Sequence, residues 1–221
     1  MTVDRSMFGS KNYIYQTIDS LEKNSTEKLF IKLVVGSPET EYLEKYKIKY
    51  TVIPFPTNKW NFIKLNSVRY RAIFNYYRCL GLYSSDALIF EDDINFTDNW
   101  LVKLNNIVKD IENQGIRKYI LSLYSPYQET SLFEKDYGFL GSFLFYGTQG
   151  MYYPSTIKKD LYEYIYQEGV LKNSAPYDEL VAQYAAKNKI PIIDCKKSLV
   201  QHIAPDDSTG LCIKPHTSPT F

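Results

Sequence analysis

The chain's 221 residues, 44% of them hydrophobic, suffice for one large domain or two small ones with an ordinary soluble core. Acidic and basic residues nearly cancel, to a formal charge of +1, which excludes the strong basic field that nucleic acid or an anionic membrane would require. Cys79, Cys195 and Cys212 show no C-x-x-C spacing, so neither a disulfide framework nor a zinc module is indicated.

In chain order, Met1 to Val3 reads as a short strand, Asp4 to Lys11 as a polar loop, and Tyr13 to Leu21 as an amphipathic helix with Tyr13, Thr17 and Leu21 four apart. Leu29 to Val35 and Tyr50 to Phe55 are β-rich runs, closed by Gly36-Ser37-Pro38 and by Pro54 and Pro56. Ser67 to Leu82 carries Val68, Ala72, Tyr76 and Leu80 at helical spacing, with Gly81 at its end. The apolar strand Ala87 to Phe90 follows. Trp100 to Glu112 gathers Leu101, Leu104, Val108 and Ile111 on one helical face, and Lys118 to Tyr124 is the next strand. This alternation predicts an α/β fold with a mostly parallel sheet flanked by helices.

The second half is less regular. Phe139 to Tyr153, rich in glycine and aromatics, predicts bent strands and a loop near a substrate, or a structural hairpin. Thr156 to Gln167 and Pro176 to Asn188 read as helices, Ile190 to Asp194 and Ser198 to Ile203 as short strands. The expected organisation is one domain over residues 1–205, divided near residue 125 into a nucleotide-binding half and an acceptor-side half. Residues 206–221, rich in Pro, Ser and Thr, read as a linker or truncated tail.

No run reaches the roughly 18 apolar residues of a transmembrane segment, and the start lacks a signal peptide's apolar stretch. A soluble chain in a reducing, cytoplasmic setting is expected. Glycosylation sequons occur at Asn24 and Asn95, and a glycan on the second would crowd the acids two residues before it, which argues against secretory passage. The Asn-, Lys- and Tyr-rich composition suits an AT-rich microbial or viral genome.

Three consecutive carboxylates, Glu91, Asp92 and Asp93, end the Ala87 to Phe90 strand. Ionised carboxylates beside a core are costly unless a cation or hydrogen-bond donors compensate them. Mg2+ or Mn2+ with a diphosphate is the simplest compensation, since such ions take one or two protein carboxylates and complete their shell with water and phosphate. A solvated acidic turn is the plain alternative. Strand carboxyl ends in α/β sheets are where ligands bind, which favours a site. Lys64, Arg69, Arg71 and Arg78 flank the preceding helix and offer a phosphate contact. Trp60, Trp100, Tyr152 and Tyr153 suit either sugar stacking or core packing.

The Asp4-Arg5 loop after the first strand, the acidic triplet, Gly147-Thr148-Gln149-Gly150 before an aromatic strand, and the closing Ser198-Leu199-Val200-Gln201-His202-Ile203 together resemble GT-A-type nucleotide-sugar glycosyltransferases. The likeness runs over about residues 1–208 and is strongest toward the N-acetylglucosaminyltransferase IV-like group. Ala204 departs from that group's usual glycine, and a form without stem or membrane anchor is expected. The resemblance implies a GT-A, Rossmann-like fold and transfer of a hexosyl or N-acetylhexosaminyl group from a nucleoside diphosphate donor, UDP-linked, to a glycan or glycoprotein acceptor. By the same likeness, Asp93 and His202 would hold Mn2+ or Mg2+. Glu91, Asp92, Asp4 and Arg5 would meet the donor, and Asp178, with Glu179 in reserve, would be the carboxylate base of an inverting reaction; Arg69 joins the donor contacts as a basic residue in reach of a phosphate and not by the likeness. An acid at a helix start is also an ordinary cap. Two other functions stay open: a metal-dependent phosphoryl-transfer enzyme or hydrolase acting on nucleotide sugars, and a non-catalytic carbohydrate-binding module with a GT-A shell. Further domains of a longer glycosyltransferase are compatible with this reading.

Overall fold

The computed structural model describes residues 1–2, 11–56, 68–141, 145, 147–204 and 217–221. Helix α1 (Ile14–Lys23) turns Ile14, Ile18 and Leu21 inward. Strands β1 (Lys32–Val34) and β2 (Thr51–Ile53) pair in parallel. Thr2 adds a parallel bridge to Val35, so the chain start lies alongside them. Leu33 and Val35 pack with Ile14, Ile18, Leu43, Tyr46 and Tyr50 in a local core.

Helix α2 (Val68–Leu80) leads to β3 (Ala87–Phe90). Beyond the acids, β4 (Ile94–Phe96) precedes α3 (Trp100–Asn113) and β5 (Ile120–Ser122). The remaining elements are β6 (Tyr137–Leu140), β7 (Gly150–Tyr153), α4 (Ser155–Tyr164), α5 (Tyr177–Asn188), β8 (Ile192–Cys195) and β9 (Val200–His202). A π-helical stretch, Ile165–Leu171, extends α4 beyond its expected end. At its Gly169 a Cβ would stand 2.6 Å from Ile73 Cγ2 and 2.9 Å from Leu180 Cδ1. The absent side chain therefore lets this stretch pack between α2 and α5.

The five-stranded sheet has the order β3-β7-β5-β8-β6. Its interior strands are buried on both faces, which is why they read as apolar runs rather than alternating ones. Leu121, Tyr152 and Ile193 face α3 residues Leu104, Ile107 and Ile111. Ile120, Met151, Tyr153 and Ile192 face the opposite way, into a core completed by α2, α4 and α5. The result is a mixed α/β protein with helices on both faces of the sheet.

The expectation of a mostly parallel sheet is corrected here. Within the five-stranded sheet, among the described residues, only β5 and β8 are parallel neighbours; β7 lies antiparallel between β3 and β5, and β6 runs antiparallel beside β8. Parallel neighbours need a crossover, usually a helix. Among the described residues between β5 and β7 the chain forms the short 3-10 turn Gln128–Leu132 and strand β6 but no crossover helix, in keeping with the antiparallel pairing of β7 beside β5.

No helix among the described residues is long and apolar enough to cross a membrane. Residues 217–221, within the stretch read as a linker or truncated tail, lie against the end of the fold. Ser218 N donates to Gln201 Oε1 (2.7 Å), Gln201 Nε2 donates to the Ser218 carbonyl (3.2 Å), and the Ser198 and Ser218 hydroxyls are 2.6 Å apart.

Candidate functional site

The acidic triplet joins two pairings. Glu91 N donates to the Gln149 carbonyl (3.1 Å), extending the β3–β7 ladder by one residue. Asp93 O accepts Ile203 N (2.9 Å), and from Ile94 onward the chain pairs antiparallel with β9, Ile94 opposite His202. The three side chains consequently reach three different sets of partners, which eases the repulsion expected of adjacent acids.

Asp92, 4% exposed, accepts a hydrogen bond from Thr2 Oγ1 (2.7 Å). Thr17 Oγ1 donates to the Asp92 carbonyl (2.8 Å) and accepts Ile94 N (3.0 Å). These bonds tie the chain start and α1 to the triplet, so hydroxyl donors supply part of the compensation for which a cation was expected.

Asp93 is also 4% exposed, and its Oδ2 lies 3.2 Å from His202 Nε2. The two come together because the β4–β9 register sets the residue before Ile94 beside the residue opposite it. The buried carboxylate is a hard oxygen donor of the kind Mn2+ and Mg2+ take, and the imidazole beside it is a borderline nitrogen donor, which Mn2+ accepts more readily than Mg2+. Among the described residues no three His, Cys, Asp or Glu side chains group to hold a metal ion. A cation here would draw only two side chains from the described residues and take its other ligands from water and phosphate, which fits the habits of these ions.

Half-buried Glu91 accepts Tyr177 Oη (2.6 Å) and Thr148 Oγ1 (3.1 Å). Burial, and then the Asp93 charge, push its carboxyl up to about 7, against the opposing pull of Tyr177, His202 and Thr148. The Tyr177 phenol is itself raised well above its ordinary value by burial and by Glu91. Its ring packs on Tyr76 with centroids 4.8 Å apart, which anchors the start of α5 beside the triplet.

Asp178 directly follows Tyr177, at the first turn of α5, and its Oδ1 accepts Glu179 N (3.0 Å); Glu179 is exposed. The helix N-cap is Pro176 and makes no side-chain cap bond, so Asp178 sits within the first turn, one residue from the Tyr177 that bonds Glu91. Arg69 donates to the Asn173 carbonyl (3.1 Å), in the turn leading to α5. Arg78, offered above as a phosphate contact, spans the carbonyls of Val35 (2.8 Å), Ile53 (3.2 Å) and Pro54 (2.6 Å), fastening α2 to the ends of β1 and β2. Asp4, Arg5, Trp60 and Lys64 lie outside the described residues.

Of the aromatics considered for sugar stacking, Trp100, Tyr152 and Tyr153 are 1%, 7% and 0% exposed and belong to the core. Trp100 Nε1 donates to Ser25 Oγ (3.0 Å) and Tyr152 Oη to Asp86 Oδ2 (2.6 Å). Asn24 of the first sequon uses its amide on the Phe96 carbonyl (2.8 Å). Sequence reasoning missed Thr2, Thr17, Thr148 and Tyr177 as partners of the acids. Single hydroxyls carry no motif, and only the loop position of Thr148, inside Gly147-Thr148-Gln149-Gly150, hinted at it.

No family model matches this chain, and no curated protein matches it.

Proposed function

We propose that the chain is a metal-dependent glycosyltransferase of GT-A type, moving a sugar from a UDP-linked donor to a glycan acceptor. The observation that carries this reading is the approach of Asp93 to His202, 109 residues apart in the chain, beside the strand-end acids. A mixed sheet with helices on both faces, and the acids at the end of β3, are compatible with a GT-A arrangement.

Asp93 and His202 would hold Mn2+ or Mg2+. When bound, such an ion supplies Lewis-acid neutralisation of the charge that grows on a leaving diphosphate. Tyr177 and Thr148 keep Glu91 fixed at the start of α5, so the donor side and the acceptor side meet there. Asp178, half-exposed on that first turn, would take the proton of the acceptor hydroxyl. A cytoplasmic setting and further domains in a longer enzyme belong to the same proposal.

Calorimetric titration of UDP, GDP, CDP and dTDP into the protein, with and without Mn2+, tests this. Metal-dependent binding of UDP alone is the expected result. Binding of glycans without any nucleotide or metal response would replace the proposal with a carbohydrate-binding module.

A further inference from the structure

Gln149 is 8% exposed, and its Oε1 is buried without a hydrogen-bond partner among the described residues. It lies across from Glu91, whose backbone N–H its own carbonyl accepts, and follows Thr148, whose hydroxyl binds the Glu91 carboxyl. Gly147 has φ +73, and a Cβ there would stand 2.2 Å from Gln149 Oε1 and 2.7 Å from Nε2. Only glycine accommodates both that backbone conformation and the carboxamide folded over it. The loop therefore holds a carboxamide in a buried position where the protein leaves its oxygen unanswered, and such groups call for a ligand or a water.

We infer that Gln149 is a specificity-determining residue whose carboxamide oxygen accepts a hydroxyl of the transferred sugar, an assignment that rests on the nucleotide-sugar reading of the site. The chemistry selects this class of group. A carboxamide oxygen needs an O–H or N–H donor, which a sugar hydroxyl supplies and an ionised diphosphate does not. A site built to bond a hydroxyl discriminates strongly against analogues that lack it, because its own buried polar group is then left unpaired. None of the described residues bonds this oxygen, so replacing the carboxamide with an apolar group removes no hydrogen bond that the oxygen makes to them.

The test uses the full chain with Mn2+, titrated with UDP, UDP-glucose, UDP-galactose and UDP-N-acetylglucosamine, for wild type, Gln149→Leu and Gln149→Asn. Thermal melting of the free proteins is measured in parallel. In Gln149→Leu the affinity for UDP should stay within twofold of wild type, the affinity for the preferred sugar nucleotide should fall tenfold or more, and the melting temperature should hold or rise. Gln149→Asn, which keeps the amide but withdraws it by one methylene, should show the same loss and carries the test if the leucine variant does not fold. Wild-type affinity for every sugar nucleotide in both variants would overturn the inference while leaving the reading of the site standing. So would a drop in melting temperature with unchanged binding, the mark of an oxygen that serves a structural water. If wild type binds none of the four nucleotides, the reading of the site fails and the assignment of Gln149 fails with it.

Discussion

Asp93 Oδ2 and His202 Nε2 lie 3.2 Å apart across a sequence separation of 109 residues, held there by the short β4–β9 ladder. Neither strand belongs to the central sheet, so the pair rests on a ladder of its own. Asp93→Ala should abolish Mn2+-dependent UDP binding, and His202→Ala should weaken it about 10- to 100-fold. Calorimetry with and without Mn2+ reads both, with melting curves as a folding control. UDP affinity unchanged in Asp93→Ala would remove the pair from this account.

Tyr177→Phe deletes the phenol that donates to Glu91 at 2.6 Å. That bond favours the charged carboxylate, so its loss should push the Glu91 carboxyl still further above about 7. A carboxyl raised in the folded state stabilises the fold most at low pH and loses that contribution as pH rises through its folded value. The variant should therefore match wild type closely near pH 5 and fall behind it by roughly 1–3 kcal/mol near pH 8. Urea unfolding at both pH values measures this; an equal deficit at the two would mean that the phenol serves packing alone.

The helices were legible because their apolar faces repeat at helical spacing, and Trp100–Asn113 is within one residue of its expected end. Strand order was not. The position of β7 between β3 and β5 depends on which edge the returning chain meets, and nothing local to Gly150–Tyr153 encodes that. Ile94-Asn95-Phe96 sits between acids and the turn-forming Thr97-Asp98-Asn99, so β4 was hidden until β9 paired with it. The acids and His202 could be singled out by chemistry and order, whereas the Tyr177–Glu91 bond could not, because a tyrosine at a helix start has many ordinary explanations.

Asp194, on β8, is 3% exposed and its carboxyl is pushed up to about 7 by burial, opposed by the Ser125 and Ser122 hydroxyls. In the unfolded chain it would ionise near pH 4. Folded protein therefore holds this proton between about pH 4 and 7, and stability should decline as pH rises through that window. Asp194→Asn should flatten much of the decline and stabilise the protein near pH 8, by roughly 4 kcal/mol at most. Glu91 titrates over the same range, so some slope should remain. A variant less stable than wild type at pH 8 would show that the ionised carboxylate is better satisfied than its burial suggests.

Gly169→Ala places a methyl group within 2.6 Å of Ile73 and 2.9 Å of Leu180. Both neighbours are fully buried, so neither can yield without moving α2 or α5. Overpacking of this kind costs about 1–3 kcal/mol. Denaturant unfolding should show that loss; a neutral substitution would mean that the π-helical stretch shifts away from α2 at little cost.

Asp178→Asn separates the two halves of the proposed reaction. The amide can still accept the Glu179 N–H that Asp178 Oδ1 accepts at 3.0 Å, so the start of α5 and the Tyr177 contact with Glu91 should persist. A carboxamide cannot take a proton at neutral pH, so transfer to an acceptor should fall at least 100-fold if Asp178 is the base. UDP affinity in the presence of Mn2+ should remain at the wild-type level, because donor binding is assigned to Asp93 and His202. Binding and transfer therefore need to be measured on the same preparation. Retained transfer would move the role of base away from α5, while loss of binding together with transfer would make Asp178 part of the donor site instead.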